Sequence, residues 1–224
     1  MSHGKQFTLY MHKVSPHGWK IVFVLAELGL TYEPKYIDTA KDEHKTAEFI
    51  KLNPNGRTPV LVDHANSDFV VWESNAMLQY IVDKYDSART ISIAPGTDEY
   101  YTQLQWLYFQ GSGQGPYYGQ AGWFTFYHHE KILSVIERYR NEVRRVLGVL
   151  ESVLSTQKWL VGDKMTAADI SFVSWNAVAI EHFVDPGFNF EREFPAAARW
   201  HSKMLSRPGI KSAWDQRLQF FAEL

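Results

Sequence analysis

The chain contains no cysteine. That one absence excludes disulfides, thiolate metal sites and a protein-borne thiol nucleophile, so any sulfur chemistry must arrive with a ligand. There is also no apolar run near the roughly 20 residues of a membrane span, and "MSHGKQFTLY" lacks the charged, apolar, small-residue order of a secretion signal. The expectation is a cytoplasmic protein with no membrane partner. A formal charge of -2 gives no global basic field for nucleic acid. The adjacent His128 and His129 stand in "HHEK", which is not the His-Glu-x-x-His spacing that puts two imidazoles on one metal, so no metal site is expected. What remains is 224 residues with 45% apolar and 21% charged side chains, enough for one large or two small cores.

From Phe7 to about Tyr85 the pattern alternates between short strands ("FTLY", "YEPKYI", "PVLVD", "FVVW") and helices ("WKIVFVLAELG", a polar stretch "DEHKTAEFIKL", "SNAMLQYIVDKY"). This alternation, closing on two strands about ten residues apart, predicts a small α/β unit with a mixed sheet. The first helix is apolar almost all round, so it requires cover on more than one side, and Gly29 is its expected stop. "DSARTISIAPGTD" reads as a linker. Beyond it the periodicity is helical only. Ile132, Leu133, Ile136, Tyr139, Val143, Val146, Leu147, Leu150 and Leu154 form an apolar stripe, and Arg138, Arg140, Arg144 and Arg145 read as a solvated face beside it. In "MTAADI", Thr166 and Asp169 have the spacing of a capping box, with Met165 and Ile170 as its staple. The expected domains are 1–86 (α/β), a linker 87–97, and 98–224 (all-helical).

Three fragments carry chemistry. In "SPHGWK", Pro16 marks the first helical position and leaves Ser15 at the cap. A hydroxyl, amide N–H groups and the positive end of the helix dipole then converge on a spot suited to a thiolate, a carboxylate or a phosphate; the plainer reading is that Ser15 caps its own helix. "NPNGRTPVLVD" places Thr58-Pro59 between a glycine turn and a strand, where adjacent backbone is left to pair with something else. In "VWESNAM", Ser74 opens a helix and can offer its hydroxyl and N–H groups to a carboxylate, while Glu73 can take an ammonium, together matching a free α-amino acid group.

With "RTPVLVD", "WESNAM" and "GDKMTAADIS" following the strand-Ser-helix junction in order, the whole chain resembles a cytosolic glutathione transferase. "SPHGWK", "LNPNGRTPVLVDH" and "WESNAMLQYIVDKY" are most similar to the fungal nitrogen-regulator-like transferases and their bacterial nu-class relatives. The resemblance implies a thioredoxin-like first domain with a cis bond at Pro59 and a helical-bundle second domain. It also implies glutathione as co-substrate: Arg57, Thr58 and Pro59 along its backbone, Glu73 and Ser74 on its γ-glutamyl end, and His44 and Lys45 near its glycyl carboxylate. Ser15 and His17 would flank its sulfur, although His17 stands where these relatives carry asparagine.

Aromatic residues are dense between Tyr100 and Tyr127, and Tyr117, Tyr118, Trp123 and Tyr127 are candidates for a pocket that takes flat apolar compounds. The expected function is a glutathione-dependent enzyme acting on disulfides, peroxides or hydrophobic electrophiles, and the resemblance implies a homodimer. A non-catalytic carrier of apolar ligands and a regulatory binding protein are the alternatives.

Overall fold

The computed structural model describes residues 3–223. In chain order the elements are β1 (Phe7–Met11), α1 (Pro16–Glu27), β2 (Tyr32–Tyr36), α2 (Ala47–Leu52), β3 (Val60–Asp63), β4 (Phe69–Trp72), α3 (Ser74–Tyr85), α4 (Asp98–Phe109), α5 (Gly115–Gly122), α6 (Leu133–Leu154), α7 (Ala167–His182), α8 (Phe190–Glu193), α9 (Pro195–Leu205) and α10 (Pro208–Ala222). They form two compact units.

The first unit runs to Thr90 and includes the segment from Arg207 onward, so α10 belongs to it. That differs from the expectation of one helical domain over 98–224. The reason lies in α1, whose residues from Gly18 to Leu25 are all buried. A helix apolar on every side needs more cover than one sheet gives, and α3 and α10 supply it. Trp214 of α10 meets Phe23 edge-on at 6.3 Å, and Gly209 lies so near Ala26 that a β-carbon there would stand 3.2 Å from Ala26 Cβ. Arg207 and Glu27 close the contact with a two-pronged ion pair of 3.0 and 2.5 Å. Each fully buried Phe, Ile or Leu of α1 contributes about 1.5–3 kcal/mol, which makes α10 part of this core despite its place in the sequence.

The sheet has the order β2-β1-β3-β4, with β1 parallel to β2 and antiparallel to β3, and β3 antiparallel to β4. This is the thioredoxin-like arrangement. Gly29, at φ +64, ends α1 as expected, with its own N–H and that of Leu30 returning to Ala26 and Leu25. The polar helical stretch breaks in two: a single 3-10 turn, Glu43–Lys45, precedes α2, because Thr46 is extended and accepts from the Phe49 N–H as an N-cap.

The second unit, residues 91–206, is helical. Its core lies between α5, α6, α7 and α9 and includes Val143, Val146, Leu147, Leu150, Phe172, Val173, Ala197 and Met204. The middle of the expected linker belongs to this core: Ile91 and Ser92 are buried, and the Ile91 carbonyl accepts from the Ala167 N–H at 2.8 Å. The capping box at Thr166 and Asp169 is present. Two of the arginines expected on a solvated face are instead half-buried, Arg140 on Asp185 at 3.1 Å and Arg144 on both Asp185 (3.1 Å) and Glu193 (2.5 Å). Acids brought in by the α7–α8 segment turn that flank of α6 into a ladder of ion pairs.

Candidate functional site

Strand register assembles the site. Tyr10 pairs with Val60, and Val60 pairs with Trp72. The residues just past β1, just before β3 and just past β4 therefore leave the sheet at one end, and they are the segments holding Ser15, Thr58-Pro59 and Glu73-Ser74.

Ser15 is the N-cap of α1, extended at φ -67 and ψ 128, and its side chain makes no capping hydrogen bond. The plainer reading, a serine spent on its own helix, therefore does not hold. Pro16 is the first helical residue, and the turn is pressed onto β1 at Gly18, where a β-carbon would stand 2.8 Å from Met11 Cε and 2.9 Å from Met11 Cβ. A glycine is what lets the helix mouth come this close to the strand end.

His17 is half-buried in the first turn. Its pKa is lowered to about 3, first by burial and then by the cations of Lys20 and Arg57. It is a neutral imidazole at any ordinary pH and can donate one N–H.

Asn53 shapes the turn before Pro59. Its side chain donates to the Arg57 carbonyl at 2.7 Å and accepts from the Asn55 N–H at 3.0 Å, and its carbonyl accepts from the Gly56 N–H at 2.8 Å. Arg57 is exposed, Thr58 half-buried and Pro59 buried, and the Thr58–Pro59 bond is cis. Thr58 lies outside the ladder of β3. Lys45 joins this end by donating from Nζ to the Gly56 carbonyl at 2.8 Å, and His44 sits beside it with Nδ1 buried and without a hydrogen-bond partner.

Glu73, between β4 and α3, adopts φ +70 and ψ +110, a conformation that side-chain-bearing residues rarely take. Such strain marks sites where geometry serves something other than stability. Its carboxylate is exposed and makes no capping bond to α3, while Ser74 is the buried first residue of that helix. An exposed acid beside a hydroxyl at a helix N-terminus suits an ammonium and a carboxylate on one carbon.

Sequence reasoning missed Lys20. It is 1% exposed, inside α1, and donates to Asn75 Oδ1 at 2.6 Å in the first turn of α3. Burial lowers its pKa to about 7, against the pull of Glu73. A lone lysine inside the apolar run "WKIVFVL" was the available signal. The aromatic candidates, all in the second unit, do not stay together. Tyr118 is fully buried, its hydroxyl donating to the Val143 carbonyl at 3.3 Å and its ring edge-on to Trp175, so it belongs to the core and corrects the expectation of a pocket residue. Tyr117 is half-buried beside Tyr139. Trp123 and Tyr127 are exposed, 6.1 Å apart, on a single π-helical turn (Trp123–Tyr127) that follows α5.

Taken together, one end of the first unit's sheet carries a backbone segment outside the ladder at Thr58, an exposed acid beside a hydroxyl at a helix N-terminus in Glu73 and Ser74, and a second hydroxyl at a helix mouth in Ser15. Residues 5–83 match the family model described as "Glutathione S-transferase, N-terminal domain", and residues 116–208 match "Glutathione S-transferase, C-terminal domain". Among curated proteins the chain is 48% identical over 222 residues to Glutathione S-transferase 1 of Schizosaccharomyces pombe, covering 95% of this chain and 96% of that one. Among solved structures it is similar to the glutathione transferase URE2P8 of Phanerochaete chrysosporium with oxidized glutathione (64% identity, TM-score 0.96, 99% of each chain covered). It is also similar to Ure2p5 of the same organism, cocrystallized with 1-(S-glutathionyl)-2,4-dinitrobenzene (49% identity, TM-score 0.91, 100% of this chain and 99% of that one). The chain belongs to the glutathione S-transferase family.

Proposed function

We propose that this protein is a glutathione transferase that ionises the thiol of bound glutathione at the mouth of α1 and delivers the thiolate to a disulfide, a peroxide or an apolar electrophile. The observation carrying this reading is the Ser15 hydroxyl, which stands at a helix N-terminus and is not used to cap it. The cysteinyl backbone pairs with Thr58 as an added strand does, beside cis-Pro59. The γ-glutamyl ammonium and carboxylate go to Glu73 and Ser74, and Lys45 and His44 attend the glycyl carboxylate.

A free thiol has a pKa of about 8.5, so about 3 per cent is ionised at neutral pH; lowering it by about two units takes roughly 2.7 kcal/mol of preferential stabilisation. A charge-assisted hydrogen bond from Ser15 Oγ and the dipole of α1 are of that order together. His17, held neutral, adds one donor rather than a charge. With a disulfide, the thiolate attacks one sulfur, forms the mixed disulfide and releases the other sulfur as thiolate. With an aryl halide it forms a carbon–sulfur bond and halide leaves.

Oxidized glutathione in one similar structure and a glutathionyl-dinitrobenzene in another support both directions of attack. Trp123 and Tyr127 are the exposed aromatic residues of the expected set and the candidates for stacking on the second substrate. Family membership supports a homodimer. The cytoplasm is the proposed location; no helix among the described residues is long and apolar enough to cross a membrane. Steady-state rates with glutathione and a panel of disulfide, hydroperoxide and aryl-halide substrates test the function. Turnover on at least one class is expected, and binding of glutathione without turnover on any would leave a carrier.

A further inference from the structure

The loop that delivers Ser15 is held by residues from the other end of the chain. Arg217 of α10 is 5% exposed, and its Nε donates to the Val14 carbonyl at 2.9 Å. Its guanidinium lies over Trp214 at 4.5 Å and over Phe221 at 5.9 Å. One residue earlier, the Lys13 carbonyl accepts from the Trp19 indole at 2.7 Å. The Lys13 ammonium stands 5.4 Å from the ring of Phe220 and 5.8 Å from that of Tyr36, and those two rings meet edge-on at 5.2 Å. Two successive carbonyls of one loop are thus pinned, one from α1 itself and one from α10.

A peptide group is planar, so fixing the Val14 carbonyl fixes the Ser15 nitrogen and Cα as well. Ser15 is next in the chain, and its hydroxyl has no capping bond to orient it. The point from which it rotates onto a ligand is therefore set by where its backbone is held. We propose that Arg217 is a positioning residue for Ser15: by clamping the Val14–Ser15 peptide it aims the hydroxyl at the glutathione sulfur. This rests on the reading of Ser15 as the thiolate's donor. The other charged and titratable groups around the helix mouth, His12, Lys13, His17, Lys20, Arg57 and Glu73, stay unchanged in the variants below.

The test is the ultraviolet titration of glutathione thiolate on the full chain, with glutathione affinity by calorimetry. Arg217→Met keeps an unbranched apolar stem and removes the clamp, together with the guanidinium over Trp214. It is expected to raise the bound thiol's pKa by about 1 unit, tenfold in ionisation, and to leave affinity for glutathione within about threefold. In a Ser15→Ala background the same substitution is expected to add nothing, since Arg217 acts through Ser15. Should Arg217→Met fail to fold, Arg217→Lys, which retains charge and stem but loses the planar fork, decides the matter with a smaller shift in the same direction. A shift with Ser15→Ala and none with either Arg217 variant overturns the inference alone. An Arg217 effect that persists in full without Ser15 also overturns it. No shift with Ser15→Ala overturns the site reading, and the inference with it.

Discussion

Ser15 and His17 sit two residues apart at one helix mouth, but their physical situations differ. Ser15 has a hydroxyl that its own helix does not use, whereas His17 is kept neutral by burial and by the Lys20 and Arg57 cations. Removing the serine deletes a donor to a developing anion, so Ser15→Ala is expected to raise the pKa of bound glutathione by about 1–2 units, the equivalent of a hydrogen bond to a charged group. His17→Ala is expected to move it by less than about 0.5 unit, because an uncharged imidazole offers at most one N–H. Titration of thiolate absorbance on the two variants checks the ranking, and a larger shift for His17 would reverse the roles. The helix mouth was legible in the sequence, since proline after serine at the head of an apolar run has a local meaning. The partners of Lys20 and Arg217 were not: a lone lysine in an apolar run signals burial without naming its acceptor, and an arginine on the last helix looks like ordinary surface charge until tertiary structure supplies one.

At the scale of elements, α7 hangs on one buried carboxylate. Asp169 accepts at Oδ2 from the Thr166 N–H (2.9 Å) and hydroxyl (3.2 Å), and at Oδ1 from the Leu160 N–H (3.0 Å) and the Trp200 indole (2.9 Å). The capping box was readable from its spacing, but the tie to α9 through Trp200 was not, because nothing local in "MTAADI" points to a residue about thirty positions on. Asp169→Asn retains one acceptor oxygen and turns an amide NH2 toward the Thr166 donors. A loss of about 2–4 kcal/mol is expected from urea unfolding, well beyond the ~1 kcal/mol of an ordinary cap. A second buried group on α9 sets a pH dependence. His201 is 7% exposed, its Nδ1 has no hydrogen-bond partner, and burial lowers its pKa to about 4. The unfolded chain takes up this proton near pH 6.5 and the folded one only near pH 4, so stability is full above about 6.5 and falls with pH across that window, by about 3 kcal/mol. His201→Phe is expected to make the profile shallower there, whatever its stability at pH 7, the remaining slope belonging to His17, whose pKa is lowered across the same window; an unchanged slope would assign the acid sensitivity to other groups.

On the scale of the whole molecule, the strands, the first and third helices and the three site fragments followed from local pattern, because each is a short-range statement about alternation, caps and turns. The domain boundary did not, because it depends on which distant helix covers α1, and periodicity in α10 gives no hint of its partner. Trp214 meets Phe23, Phe220 lies 6.3 Å from Trp19, and Arg207 pairs with Glu27, so the last helix completes the first unit across residues 91–206. A fragment ending at Thr90 would expose the α1 flank that carries Trp19, Phe23 and Ala26, a loss on the order of several kcal/mol against a net stability of about 5–15 kcal/mol. Fragment 1–90 is therefore expected to bind a hydrophobic dye, to lose its near-ultraviolet circular dichroism and to bind no glutathione. Joining it to residues 207–224 through a flexible linker should restore all three properties, since α10 then returns to α1 at high effective concentration. Cooperative unfolding and glutathione binding by the bare fragment would instead mean that the sheet and α3 suffice, leaving α10 a passive cover.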